Sequence, residues 1–131
     1  MSFSGQQLTT QLDADGTLTV QLNDKTWEAP KAGQVLIRVE ATPINPSDLG
    51  LLFASADTDN AVYSPGKVVA KMPDNATRAM KSRHGLAMPA GNEAAGVVVA
   101  AGEGAEHLMG KRIACVPGTA YADYAIAEAQ M

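Results

Sequence analysis

Short stretches in which apolar and polar residues alternate are the feature of this sequence that most constrains its fold. Residues 17–22 alternate in this way, and residues 35–41 form a second such stretch. A period of two is typical of a half-buried β-strand, because successive side chains point to opposite faces of a sheet. Residues 13–16, Asp-Ala-Asp-Gly, are typical of a turn, so residues 6–12 are expected to pair with the first stretch in a hairpin. The first third of the chain is therefore predicted to be β-structure.

The second half of the chain contains further short apolar segments between glycine-rich turns. Residues 95–101 are continuously apolar, which is typical of a strand buried on both faces. Residues 67–71, 112–116 and 121–127 predict three more strands. Six or more short strands with little helix indicate a mainly β fold, a closed or partly open β-barrel with one or two short helices.

One segment breaks the β pattern and predicts a helix. Asn45 is a favourable N-cap residue, Pro46 suits the first helical position, and Asp48 places a carboxylate in the first turn. Apolar residues follow as far as Phe53. The spacing therefore predicts a short helix from Pro46 to about Phe53.

The region after this helix is less regular. Residues 54–66 are mostly polar, and we predict a loop there. Asp74 or Asn75 is expected to cap one helical turn that ends at Met80.

Composition and charge exclude several classes of protein. With 131 residues, of which 46% are apolar and 18% charged, the chain is expected to fold as one globular domain. A net charge of −4 argues against nucleic acid or an anionic membrane as the main partner, because both attract basic surfaces. The single cysteine cannot form an internal disulfide, no apolar run approaches the ~20 residues that cross a bilayer, and the N-terminus does not resemble a signal peptide. A soluble, cytoplasmic protein is expected.

The patterns for phosphate, metal and nucleophile chemistry are incomplete. Gly102-x-Gly104 begins a dinucleotide fingerprint, but His107 stands where the third glycine is required, so a tight turn is the favoured interpretation. Cys115 lies in an apolar strand and is expected to be a small buried residue rather than a metal ligand. The chain contains no Gly-x-Ser-x-Gly segment. These residues predict no metal site and no activated nucleophile.

Three segments together resemble a known family. They read VLIRVEATPINPSD, PAGNEAAGVVVAAGEGA and GKRIACVPGTAYADYAIAEAQM, in this order between Val35 and Met131. They are similar to the N-terminal catalytic domain of medium-chain dehydrogenases/reductases, especially the zinc-free quinone oxidoreductases and enoyl thioester reductases. The resemblance implies a GroES-like β-barrel, which agrees with the strands predicted above, although residues 54–88 look longer than usual.

The resemblance also implies that no metal is used. In the zinc-dependent members, a cysteine stands at the position of Asn45 and a histidine at that of Asn92, and their four-cysteine zinc loop has no counterpart here. An amide is a poor zinc ligand beside a thiolate or an imidazole. Asn92 and Glu93 are expected instead to hold their loop by hydrogen bonds to the backbone, and the two asparagine-bearing turns to form one wall of a cleft.

The same resemblance implies an activity and three catalytic candidates. It implies hydride transfer from NADPH or NADH to a quinone or to an enoyl or enone substrate, with Asn45 lining the nicotinamide or substrate pocket and Asp48 nearby. The alternative is that Asn45 and Asp48 are only a helix cap and a first-turn carboxylate. Tyr63 is the candidate proton donor, because the position at which enoyl reductases carry a tyrosine falls near Ala56 here. A packing role is the alternative for Tyr63.

The length of the chain limits the activity that is expected of these 131 residues alone. Enzymes of this family are more than twice as long and hold the cofactor between this domain and a Rossmann domain. Residues 1–131 are therefore expected to be the substrate-side domain only, with no cofactor tightly bound and no hydride transfer by the chain by itself. The apolar face left uncovered is expected to favour self-association. The alternative function is a non-enzymatic GroES-like interaction module.

Overall fold

The structure, a computed structural model, describes residues 2–130 and is mainly β; Met1 and Met131 lie outside the described residues. Within that range, the strands are β1 (Phe3–Leu12), β2 (Thr17–Trp27), β3 (Gln34–Ala41), β4 (Asp57–Ser64), β5 (Lys67–Lys71), β6 (Met88–Pro89), β7 (Ala94–Ala101), β8 (Arg112–Cys115) and β9 (Tyr124–Glu128). The two α-helices are α1 (Pro46–Phe53) and α2 (Asp74–Ala79), and two 3₁₀ helices cover Lys81–Arg83 and Glu106–Leu108. Among the described residues, no helix is long and apolar enough to cross a membrane.

The strands form two sheets. One has the strand order β4-β5-β2-β1-β6, and the other has the order β8-β7-β3-β9. The predicted mainly β fold with one or two short helices is confirmed, and over residues 2–130 the sheets are not closed into a barrel. The helix predicted from the Asn45 cap is also confirmed, since α1 begins at Pro46 and ends at Phe53.

The described chain divides into two compact units. The first unit comprises residues 2–7, 24–44 and 91–130, and the second comprises residues 8–23 and 45–90. The long strands β1 and β2 each contribute residues to both units.

Antiparallel pairing of β3 with β7 and β9 builds the core of the first unit. Ile37 at the centre of β3 pairs with Val98 on one side and Ala125 on the other. The buried core consists of Val35, Ile37, Ala94, Val98, Ala105, Cys115, Ala120, Ala125 and Ala127. The prediction that residues 95–101 are buried on both faces was wrong, because alternate positions of β7 are only half-buried. Small apolar side chains occupy that half-exposed face, so the sequence shows no alternation.

In the second unit, the loop predicted over residues 54–66 was wrong in part. Asp57–Ser64 is β4, which pairs with β5 across the turn at Pro65 and Gly66. Because β4 is an edge strand and almost all its residues are exposed, polar side chains are tolerated on both faces and no period appears. The predicted helical turn is present as α2, but Pro73 rather than Asp74 or Asn75 holds the N-cap position.

The last predicted strand is displaced. It was predicted over residues 121–127 and lies at Tyr124–Glu128, because the backbone before Tyr124 bonds to other segments: the Ala120 N–H donates to the Gly91 carbonyl and the Asp123 N–H to the Gln6 carbonyl, each at 3.0 Å. Similarly, β8 ends at Cys115, one residue before the predicted end.

Candidate functional site

The N-terminus of α1 brings together two of the predicted site residues. Asn45 has an extended backbone (φ −93°, ψ 155°), and its N–H donates to Asp48 Oδ2 at 2.9 Å. In return, the Asp48 backbone N–H faces the Asn45 side chain, and it also donates to the Asn45 carbonyl at 3.0 Å. Asp48 is 1% exposed, whereas Asn45 is half-buried. Asn45 and Asp48 therefore form a capping box, and a role of Asn45 in a pocket stays a prediction.

The other end of α1 is held by side chains from elsewhere in the second unit. The buried Thr10 Oγ1 donates to the Leu52 carbonyl at 2.7 Å, and Arg83 Nη2 lies 3.4 Å from the Leu51 carbonyl. These contacts satisfy carbonyls that a helix C-terminus leaves without partners. Partial burial lowers the pKa of the Arg83 guanidinium, whose Nε has no hydrogen-bond partner within residues 2–130. The C-terminal end of the helix that carries Asn45 is thus held by Thr10 and Arg83.

Replacing Thr10 tests the C-terminal attachment of α1. Thr10→Val keeps the shape of the side chain but leaves the Leu52 carbonyl without its donor. We expect the free energy of unfolding to fall by about 1–2 kcal/mol, measured by urea denaturation. Thr58→Val, at an exposed position of β4, is the matched control and should change it by less than about 0.5 kcal/mol. Equal losses in the two variants would contradict this assignment.

The second motif turn lies in the first unit and is held through its backbone. The carbonyls of Gly91, Asn92 and Glu93 accept hydrogen bonds from the Ala120 N–H (3.0 Å), the Gly118 N–H (3.3 Å) and Thr42 Oγ1 (2.7 Å). A structural role for this turn is supported by these bonds. That the Asn92 and Glu93 side chains hold the loop, and that this turn and Asn45 form one wall, stay predictions.

Tyr63, the candidate proton donor, lies on the exposed edge strand β4. Its side chain is 65% exposed, and its hydroxyl donates to the Thr58 carbonyl at 3.2 Å. The structure therefore does not place its phenol in the dry pocket that would favour proton donation by this group. Its catalytic role stays a prediction.

The glycine turn after β7 does not fit a phosphate group. The helix that follows has only three residues, and the Gly104 N–H already donates to the Glu106 carboxylate at 2.9 Å. A carboxylate at that position repels a second anion. The Gly102 Cα lies so close to Lys31 that an added Cβ would be 1.9 Å from the Lys31 carbonyl oxygen. The tight-turn interpretation is confirmed.

The residues present do not fit a zinc ion either. Within residues 2–130, no group of three or more His, Cys, Asp or Glu side chains could hold a metal. Cys115 is 7% exposed in the core, as expected, and burial raises the pKa of its thiol. His84 Nε2 lies 2.8 Å from the Thr77 carbonyl in the second unit.

Two residues near the motif turns were not singled out from the sequence. Tyr121 donates a hydrogen bond to the carbonyl of Pro43, two residues before Asn45. Thr42 donates one to the carbonyl of Glu93, directly after Asn92. The one available signal was Gly91, because a glycine directly before a motif residue can mark a close approach of two backbones.

The fold and the capped helix after the third strand define a class of protein. Residues 31–130 match the model of the alcohol dehydrogenase GroES-like domain, and the chain belongs to this family. The resemblance to medium-chain dehydrogenases/reductases is thereby confirmed. A comparison with curated proteins found no significant match.

Two solved structures show the same fold. A putative NADPH:quinone reductase from Mesorhizobium loti is 24% identical, with a TM-score of 0.59, and the quinone oxidoreductase from Coxiella burnetii is 17% identical, with a TM-score of 0.61. Each match covers 96% of this chain but only 35% of the other chain. The chain therefore spans about a third of the length of these enzymes.

Proposed function

We propose that residues 1–131 are the substrate-side domain of a zinc-independent, NAD(P)H-dependent oxidoreductase that reduces a quinone or an activated alkene. The family match over residues 31–130 carries this proposal. Two solved structures with this fold are described as a putative NADPH:quinone reductase and a quinone oxidoreductase, and the matched region is 35% of each. We propose that the cofactor's phosphates are held by a Rossmann domain that is not part of these residues.

The described residues suit the nicotinamide end of such a cofactor better than its pyrophosphate. Asn45 has a half-buried amide side chain, a group that can hydrogen-bond to the carboxamide of nicotinamide. The glycine turn with Glu106 does not suit the pyrophosphate. The cofactor, NADPH or NADH, would supply the hydride, and this chain alone is expected to bind it weakly.

Each candidate residue has a proposed task. Asn45 binds and orients the nicotinamide or the substrate. Asp48 positions Asn45, because its carboxylate accepts the Asn45 N–H at 2.9 Å. Tyr63 donates a proton to the reduced substrate, for which its hydroxyl must leave the Thr58 carbonyl and be covered by the substrate.

A ligand titration followed by NMR tests whether this chain binds the nicotinamide end of the cofactor and not its adenosine and pyrophosphate end. We expect nicotinamide mononucleotide, at roughly millimolar concentration, to shift the amide signals of Asn45 and Asp48. ADP-ribose, which carries the adenosine and the pyrophosphate, should leave them unchanged. Asn45→Ala should remove the response, while Asn60→Ala, an exposed asparagine on β4, should retain it. A response to ADP-ribose alone would contradict the proposal.

An activity assay provides the complementary measurement. The purified 131-residue chain, mixed with NADPH and a quinone, should not oxidise NADPH above the uncatalysed rate. Turnover by the chain alone would show that the proposed division between two domains is wrong. A chain that neither responds to nicotinamide mononucleotide nor binds a quinone would favour the interaction module instead.

A further inference from the structure

We infer that Tyr121 is a positioning residue that ties the segment leading into Asn45 to the turn that carries Asn92. The catalytic relevance of this link rests on the proposed function, because the position of Asn45 affects catalysis only if Asn45 lines the pocket. All the contacts that support it lie within the first unit.

Two side-chain hydroxyls bond to the backbone of these segments. Tyr121 Oη donates to the Pro43 carbonyl at 3.0 Å. Thr42 Oγ1 donates to the Glu93 carbonyl at 2.7 Å. The Thr42–Pro43 segment is therefore bonded both to the Asn92 turn and to Tyr121.

The ring of Tyr121 also lies directly against the Asn92 turn. Gly91 has a φ of +103°, and a Cβ added to it would lie 2.6 Å from the Tyr121 nitrogen and 3.0 Å from Tyr121 Cδ1. The Ala120 N–H donates to the Gly91 carbonyl at 3.0 Å. Only a glycine leaves room for this approach, so Tyr121 contacts one segment through its ring and backbone and the other through its hydroxyl.

The hydroxyl is important because the segment leading into Asn45 has little apolar burial to hold it. Pro43 is exposed, and Ile44 is 71% exposed. A segment with few buried apolar contacts opens easily unless hydrogen bonds restrain it. Since Asn45 is two residues after Pro43, restraint at the Pro43 carbonyl limits the positions that the Asn45 backbone can take.

Amide hydrogen exchange of the full chain tests the inference. Tyr121→Phe removes the hydroxyl that donates to the Pro43 carbonyl and keeps the ring against Gly91. We expect exchange at the Asn45 amide to become about twofold to tenfold faster, as the loss of one hydrogen bond allows. Exchange at the Val98 amide, in the buried core, should change by less than about twofold, because global stability is little affected.

Tyr63→Phe is the matched control for this measurement. It also removes a tyrosine-to-carbonyl bond, to Thr58 at 3.2 Å, and it should leave exchange at Asn45 unchanged. Unchanged exchange at Asn45 in Tyr121→Phe, or an equal increase at Asn45 and Val98, would overturn the inference. Should Tyr121→Phe fail to fold, Thr42→Val removes the second bond of the same tie and is judged by the same two amides.

A second readout separates this inference from the proposed function. Because the open state stays a minor population, Tyr121→Phe should raise the dissociation constant of nicotinamide mononucleotide by less than about twofold, far less than the exchange rate at Asn45. If the unmodified chain does not bind this ligand, the proposed function fails, while the exchange result still decides whether Tyr121 restrains the segment.

Discussion

Gly96→Ala is expected to leave the first unit unable to fold stably. Gly96 lies in β7, where it pairs with Val39 of β3 on one side and Ile113 of β8 on the other. A Cβ at this position would lie 2.1 Å from the Arg38 carbonyl oxygen and 3.2 Å from Val39 Cα. These are backbone atoms of the neighbouring strand, so no flexible side chain can move aside.

The expected loss of stability in Gly96→Ala follows from this overlap with the backbone of β3. Relief of the overlap requires β3 and β7 to separate where Gly96 pairs with Val39, and we expect the free energy of unfolding to fall by about 3 kcal/mol or more. Urea denaturation followed by circular dichroism measures this change, and a variant already unfolded without urea is within the expectation. A midpoint equal to that of the unmodified chain would contradict it.

Gly50→Ala is the control for the effect of adding a methyl group. Gly50 lies in α1, and an added Cβ would meet nothing within 4 Å. Because alanine favours the helix more than glycine, this variant should be more stable by about 0.5–1 kcal/mol. The two Gly→Ala variants should therefore change stability in opposite directions.

Asp48→Ala is expected to have the second largest effect. Asp48 is 1% exposed, and its carboxylate accepts the Asn45 N–H at 2.9 Å. Alanine leaves that N–H without this acceptor at the start of α1 and removes the buried carboxyl group that accepts it. We expect the free energy of unfolding to fall by about 2–3 kcal/mol, measured by urea denaturation.

Two further variants define what the Asp48 carboxylate contributes. Asp59→Ala, at an exposed position of β4, should change stability by less than about 0.5 kcal/mol. Asp48→Asn retains an oxygen that can accept the Asn45 N–H, so its loss should be smaller than that of Asp48→Ala. Equal stability of Asp48→Ala and Asp59→Ala would show that the capping box does not stabilise the chain.

Local patterns in the sequence predicted most of the elements but not all of them. The alternation over residues 17–22 and the cap at Asn45 depend on neighbours in the chain, and β2 and α1 are present where these patterns predicted them. The edge strand β4 was missed, because its exposed polar residues have no buried face to produce an alternation. Tyr63 was a candidate through the resemblance to enoyl reductases, whereas the tyrosine that contacts the Pro43 carbonyl is Tyr121.

The sequence by itself determined the mainly β character, the short capped helix and the absence of a dinucleotide fingerprint, because each depends on residues that are adjacent or a few positions apart. Only the tertiary structure showed that Tyr121 bonds to Pro43, 78 positions earlier in the chain, and that Gly91 leaves room for this tyrosine. Such contacts depend on how strands distant in sequence pair and how closely their backbones approach. No periodicity or spacing along the chain encodes those distances directly.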